Sequence, residues 1–260
     1  MAHHLAPMLN EGTLHNDHNR RFSLETHEIQ EARKDLAACF RMAAQLGLEE
    51  GICNHFSAVI PGHDDLFLVN PYGFAFSEIT PENLLICDYN GNVVAGDGMP
   101  EATAFYIHAQ LHKNCPKALV AFHTHMPYAT ALAMTEGDPL IFAGQTALKF
   151  YGRIAVDPEF NGLALDTKEG HRIAQALGSA DILFMRNHGV MVTAPTIAEA
   201  WDDLYYLERA AQVQCIAMST NRPLIPVRPD IAALTHQQMR EGDAESARQH
   251  LASIRRRFSF

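Results

Sequence analysis

Ala118-Leu119-Val120-Ala121-Phe122-His123-Thr124-His125 is an apolar run that stops abruptly at two histidines. Apolar residues in unbroken succession, without alternation, fit a strand buried on both faces, with helices packed above and below its sheet. A second stretch repeats the theme: Ile182-Leu183-Phe184-Met185 leads into Asn187-His188-Gly189. Two buried strands that end in imidazoles fix both the fold class and the place to look for chemistry.

Outward from these strands, apolar spacing predicts a helix over 28–48, with Ile29, Ala32, Leu36, Phe40, Ala43 and Leu46 on one face and Gly47 at its end. Short strands are expected at 57–60 and 66–69. Two more, at 85–88 and 92–94, flank Asn90-Gly91, a strong hairpin signal. Helices follow over 102–113 and from Pro127 to about 135. Asp166-Thr167-Lys168-Glu169 and Thr196-Ile197-Ala198-Glu199 resemble capping boxes and open helices to about 177 and 220. The tail from Asp230 reads as one more helix. Strands and helices do not alternate strictly, so the expectation is an α/β chain, three-layer α/β/α, with a mixed, mainly antiparallel central sheet. The expected organisation is an N-terminal arm over 1–25, one domain over 26–225 and a C-terminal helical tail over 226–260.

Composition narrows the class. Of 260 residues, 47% are hydrophobic and 19% charged, enough apolar material to exclude a wholly disordered chain. A net charge of -10 disfavours nucleic acid and anionic lipid as partners. Arg255-Arg256-Arg257 is the one basic run and reads as a solvated helix end. The five cysteines are scattered and form no C-x-x-C pair, which suits reduced thiols. No secretory leader and no membrane span is expected, so the predicted location is cytoplasmic.

Along a strand side chains alternate, so His123 and His125 face the same way and can act as a pair of imidazole ligands. His188 is the best third ligand. Each feature alone has a bland reading, because H-x-H occurs by chance and a buried histidine is commonly structural. Together they describe a three-imidazole site with an open coordination position, the catalytic rather than the structural arrangement. Such a donor set suits zinc, manganese, iron(II), cobalt or nickel, and disfavours magnesium and calcium.

The string 121–133, Ala-Phe-His-Thr-His-Met-Pro-Tyr-Ala-Thr-Ala-Leu-Ala, with the distant Arg186-Asn187-His188-Gly189, resembles the class II aldolase/adducin family. Asn54-His55-Phe56-Ser57 and Asn70-Pro71-Tyr72-Gly73 extend the likeness over roughly 28–220. The resemblance implies an α/β/α fold, a homotetramer with sites between subunits, and a divalent metal, zinc first, on His123, His125 and His188. Departures from the sugar-phosphate aldolases are equally informative. Asn54-His55 stand where the phosphate-binding Gly-Asn would lie, Ala102-Thr103 replace a Ser-Ser pair, and Ala104 replaces the catalytic glutamate. These point to the adducin-like bacterial branch and away from a sugar phosphate.

Glu101, at the expected start of the second helix, reads either as a helix-start acid or as a displaced general base. His55 reads either as structural or as a carboxylate-holding group, with Asn54 beside it. Gln145 and Tyr151 follow the metal histidines, where the family's active-site loop passes; Tyr151 is a candidate proton donor and equally a packing residue. The expected function is a metal-dependent carbon-carbon lyase, of aldolase or decarboxylase type. Its small-molecule substrate would be a non-phosphorylated oxo- or hydroxy-carboxylate, reacting through a metal-stabilised enolate. An adducin-like scaffold without catalysis and a metal-dependent oxygenase are the alternatives.

Overall fold

The computed structural model describes residues 24–260. Most of the expected N-terminal arm therefore lies outside the described residues.

Helix α1 (His27–Leu46) starts where the Thr26 hydroxyl accepts from the Ile29 amide at 3.4 Å, and ends at Gly47 in the left-handed region. The next strands are β1 (His55–Val59), β2 (Leu66–Val69), β3 (Leu85–Asp88) and β4 (Val93–Ala95). The β3–β4 turn is the Asn90-Gly91 hairpin; the Asp88 carboxylate accepts from the backbone amides of Asn90 and Asn92 at 2.8 and 2.9 Å. Then follow α2 (Ala102–Asn114), β5 (Val120–Thr124), α3 (Pro127–Ala133), the single-turn α4 (Gln145–Leu148), β6 (Ile154–Asp157) and α5 (Thr167–Leu177). β7 (Ile182–Met185), β8 (Gly189–Ala194), α6 (Ile197–Met218), α7 (Pro229–Arg240) and α8 (Asp243–Arg255) complete the chain. Asp166 and Thr196 cap α5 and α6 through the amides of Glu169 and Glu199, as their sequence signatures predict.

The eight strands form one sheet in the order β4-β3-β2-β1-β5-β8-β7-β6. Every neighbouring pair is antiparallel except β6 and β7, so the sheet is mixed and mainly antiparallel as expected. Alternation along the strands sends Phe56, Phe122, Phe184 and Val192 to one face. There they pack with α1, α3, α6 and α8, and Phe56 stacks on Phe122 with ring centroids 4.0 Å apart. Ala121, Leu183, Met185 and Met191 point to the other face, against Ile107, Leu111, Ile173 and Leu177 of α2 and α5. Gly170 brings those two helices close: a Cβ there would stand 2.2 Å from the Tyr106 carbonyl oxygen.

Two expectations are corrected. The tail after Asp230 contains two helices, α7 and α8, separated at Glu241-Gly242. It is also docked: Arg255 on α8 reaches Asp35 and Glu31 on α1 at 2.6 and 3.0 Å. The sequence reading further lacked β6 and β8, and it started β1 two residues late, so His55 lies inside the strand and not before it.

Candidate active site

The site sits on the α2/α5 face, where the ends of β1, β5 and β8 meet. β5 carries His123, and His125 follows directly after the strand ends. Beside His123 in the ladder is His55 of β1, with ring centroids 4.9 Å apart. His188 arrives from the tight β7–β8 turn. Asn187 adopts φ 57°, a left-handed conformation that Asn tolerates better than other side chains, and Met185 pairs with Gly189 across the turn. Gly189 has no room for a side chain: a Cβ would stand 2.7 Å from the Thr124 carbonyl oxygen and 2.8 Å from His125 Cδ2. The absent side chain lets β8 close on β5 and presents His188 to the other two imidazoles.

Potential ligand atoms of His123, His125 and His188 all lie within 4.8 Å of one another. Two of the three rings are held in metal-ready tautomers. His123 Nδ1 donates to the Val190 carbonyl oxygen at 2.9 Å, and His125 Nδ1 hydrogen-bonds to the Glu50 carboxylate. Both partners are acceptors, so in the neutral rings both Nε2 atoms carry lone pairs. These two atoms face each other at 3.2 Å. Opposed lone pairs at that distance repel unless a cation lies against them, and an outer-shell acceptor on each ring is how a metal-binding histidine is oriented. The donor set therefore fits a transition metal. Burial, and then the His188, His55 and His125 charges, keep His123 neutral by pushing its pKa well down. His188 falls to about 4 for the same first cause, followed by His125, with Asp157 acting in the opposite sense. Neutral imidazole is the form that ligates.

Glu101 is the N-cap of α2: its carboxylate accepts from the Ala104 amide at 2.9 Å and from the Thr103 hydroxyl. The same carboxylate lies 3.9 Å from His55 Nε2. Asn54 is buried, and its side-chain oxygen accepts from the Glu50 and His125 amides at 2.8 and 3.3 Å, which ties the loop bearing Glu50 to the histidine triad. The structure thus groups Asn54, His55 and Glu101 with the three histidines. Gln145 and Tyr151 stand apart within the chain. Gln145 opens α4 and lines grooves together with Lys149 and Tyr206 or Leu224 and Ile225, and Tyr151 packs edge-on against Phe142 at 5.1 Å.

Sequence reasoning missed Glu50, which lies 75 positions from its His125 partner. It also missed a polar cluster behind His55, made of Ser57, His108 and His112. His108 and His112 are four apart on α2, a spacing that puts both on one helical face and was there to be read.

A model described as the class II aldolase and adducin N-terminal domain matches residues 34–215. The chain belongs to that family. Among its relatives is a Caulobacter vibrioides protein assigned provisionally as a class 2 aldolase, 36% identical over 78% of each chain. The decarboxylase NovR of Streptomyces niveus is 30% identical over 78% of this chain and 75% of its own. Of solved structures, an aldolase II superfamily protein from Pseudomonas syringae superposes with a TM-score of 0.84 at 30% identity, covering 92% of this chain and 96% of the other. The α/β class II aldolase fold is thereby shown. Among the described residues no helix is long and apolar enough to cross a membrane.

Proposed function

We propose that this class II aldolase-family protein is a divalent-metal-dependent carbon-carbon lyase acting on a small, non-phosphorylated oxo- or hydroxy-carboxylate. The observation that carries the reading is the pair of Nε2 lone pairs opposed at 3.2 Å, with a third imidazole beside them. His123, His125 and His188 would hold the ion, with zinc as the first candidate and manganese, iron, cobalt or nickel as the others. When bound, the metal supplies Lewis-acid stabilisation of the negative charge that develops as the carbon-carbon bond breaks.

The chain's own groups do the rest. Where a sugar-phosphate aldolase would hold phosphate, Thr103 has its hydroxyl committed to Glu101, and residue 102 is alanine. His55 and Asn54 border the substrate position. Glu101, held at the head of α2 and opposite His55, would exchange a proton with substrate. With alanine at 104, removal of carbon dioxide, which needs no base to begin, is the favoured chemistry, and a relative named as a decarboxylase supports it. Gln145 and Tyr151 would take part only from a neighbouring subunit. We further propose a cytoplasmic homotetramer; Val213, Ile216 and Ile225 are exposed apolar residues suited to a subunit contact, and light scattering tests the assembly.

Metal analysis after purification without added metal tests the central claim. Stoichiometric transition metal in the wild type and its loss in His123→Ala/His125→Ala support the lyase. A metal-free wild type, or a double variant with full occupancy, overturns the assignment, and a metal-free wild type points instead to a non-catalytic adducin-like module. Ultraviolet-visible spectra of the iron(II) form under oxygen distinguish an oxygenase.

A further inference from the structure

We propose that a buried, one-directional hydrogen-bond chain fixes His55 with its proton on Nδ1, so that Nε2 is a pure acceptor and the site selects a substrate that offers it a hydroxyl group. The inference rests on the lyase reading for where substrate lies, but not for the direction of the chain.

The direction follows from one end. The Ala118 carbonyl oxygen can only accept, and His112 Nδ1 lies 2.6 Å from it, so Nδ1 carries the hydrogen. His112 Nε2 then accepts from the Ser57 hydroxyl at 2.7 Å. With its single proton committed, Ser57 accepts from His108 Nδ1 at 2.5 Å. His108 Nε2 in turn accepts from His55 Nδ1 at 2.9 Å. Nothing in this sequence has a free choice, and all four side chains are buried. A second proton on His112 would make both its nitrogens donors and turn every later bond around, and one on His108 would turn the bond to His55. Burial opposes that, and holds His112 at about 4 and His108 well below its ordinary range.

The outcome at the site is specific. His55 Nε2 and the Glu101 carboxylate are two acceptors 3.9 Å apart, with no donor of their own to share. A substrate carboxylate would be a third acceptor and is refused there, which revises the expectation that His55 holds a carboxylate. A hydroxyl satisfies His55, and a site built to pair a hydroxyl discriminates strongly against an analogue without one. The substrate class narrows from oxo- or hydroxy-acids to hydroxyl-bearing acids. Ser57, His108 and His112 are positioning residues that act through His55.

Neutron diffraction from deuterium-exchanged crystals of the zinc-loaded protein at pH 8 reads the chain directly. Deuterium on Nδ1 of His112, His108 and His55, with none on His55 Nε2, is the expected result. Deuterium on His55 Nε2, alone or with Nδ1, overturns the proposal. Calorimetric titration of the same protein with glycolate and methoxyacetate reads the selection. Glycolate should bind at least about tenfold tighter, or about 1.4 kcal/mol. The preference should shrink in Ser57→Ala at unchanged zinc content and return in Ser57→Thr. Equal affinity for the two probes in the wild type, binding of neither, or an unchanged preference in Ser57→Ala overturns it. Failure of zinc loading would instead sink the lyase reading, and the metal-free crystal would still report the direction of the chain.

Discussion

Gly189 shows how much of the candidate centre depends on one missing methylene. A side chain at this position would overlap the Thr124 carbonyl and the His125 ring together, and neither can retreat, because Thr124 is paired to β8 and His125 is held by Glu50 and Asn54. Gly189→Ala should therefore separate His188 from its two partners while the rest of the sheet stays paired. The expected outcome is a drop in zinc affinity of tenfold or more, comparable to losing an orienting group, with a far-ultraviolet spectrum close to wild type. Competition with a chromophoric chelator measures it; wild-type affinity in the variant would mean that the turn has slack. Gly170 is an equally crowded position between helices, but it faces only the Tyr106 backbone and Gln110, so its effect belongs to stability and not to metal.

At the level of elements, a buried charge cluster joins α4, α6, α8 and the sheet. Lys149 reaches Asp202, Asp203 and Asp243 at 3.0, 3.3 and 2.5 Å, and Arg153 reaches Asp203 and Asp181 at 2.5 and 2.7 Å. Asp203 serves both cations. Its truncation in Asp203→Ala leaves two buried positive groups short of a partner, and should cost about 3 kcal/mol or more of folding stability. Urea denaturation gives the number; a loss below about 1 kcal/mol would show that Asp181, Asp202 and Asp243 suffice. None of this was legible in the sequence, because the partners are 28 to 94 positions apart. What was legible shares one property: it is local. The helices capped by Asp166 and Thr196, the Asn90-Gly91 hairpin and the two apolar runs ending in histidine each declare themselves within a few residues. β6 did not, since Ile154-Ala155-Val156 is a half-buried edge segment whose parallel partner lies far along the chain. The three candidate metal ligands stood out because each lies at the end of an apolar run. His108 and His112 did not, because on a helix they pass for part of a polar face.

For the whole molecule, the layer between α2 and the sheet sets a row of imidazoles among its hydrocarbon. His55, His108, His112 and His123 are all buried and all kept neutral by that burial. Three of them belong to the hydrogen-bond chain behind the site, so the layer that positions the chemistry is also the layer most exposed to acid. His112 gives the arithmetic, since it lies away from the candidate metal ligands. Unfolded, it takes a proton near 6.5; folded, it resists until about 4. Below 6.5 the unfolded state binds the extra proton first, so stability is complete above that pH and declines as pH falls towards 4. The shift amounts to roughly 3 kcal/mol from this residue alone. Carboxylates with lowered values, Asp181 and Asp202, add their loss only at lower pH, below the ordinary carboxylate range. Chelator-treated protein should therefore begin to lose unfolding free energy between pH 6.5 and 5, ahead of any carboxylate effect, and His112→Gln should flatten that part of the curve. Urea unfolding at half-unit pH steps tests both; a wild-type profile that stays level down to pH 5 would mean that the imidazole layer accepts protons without cost and is not sealed as its burial implies.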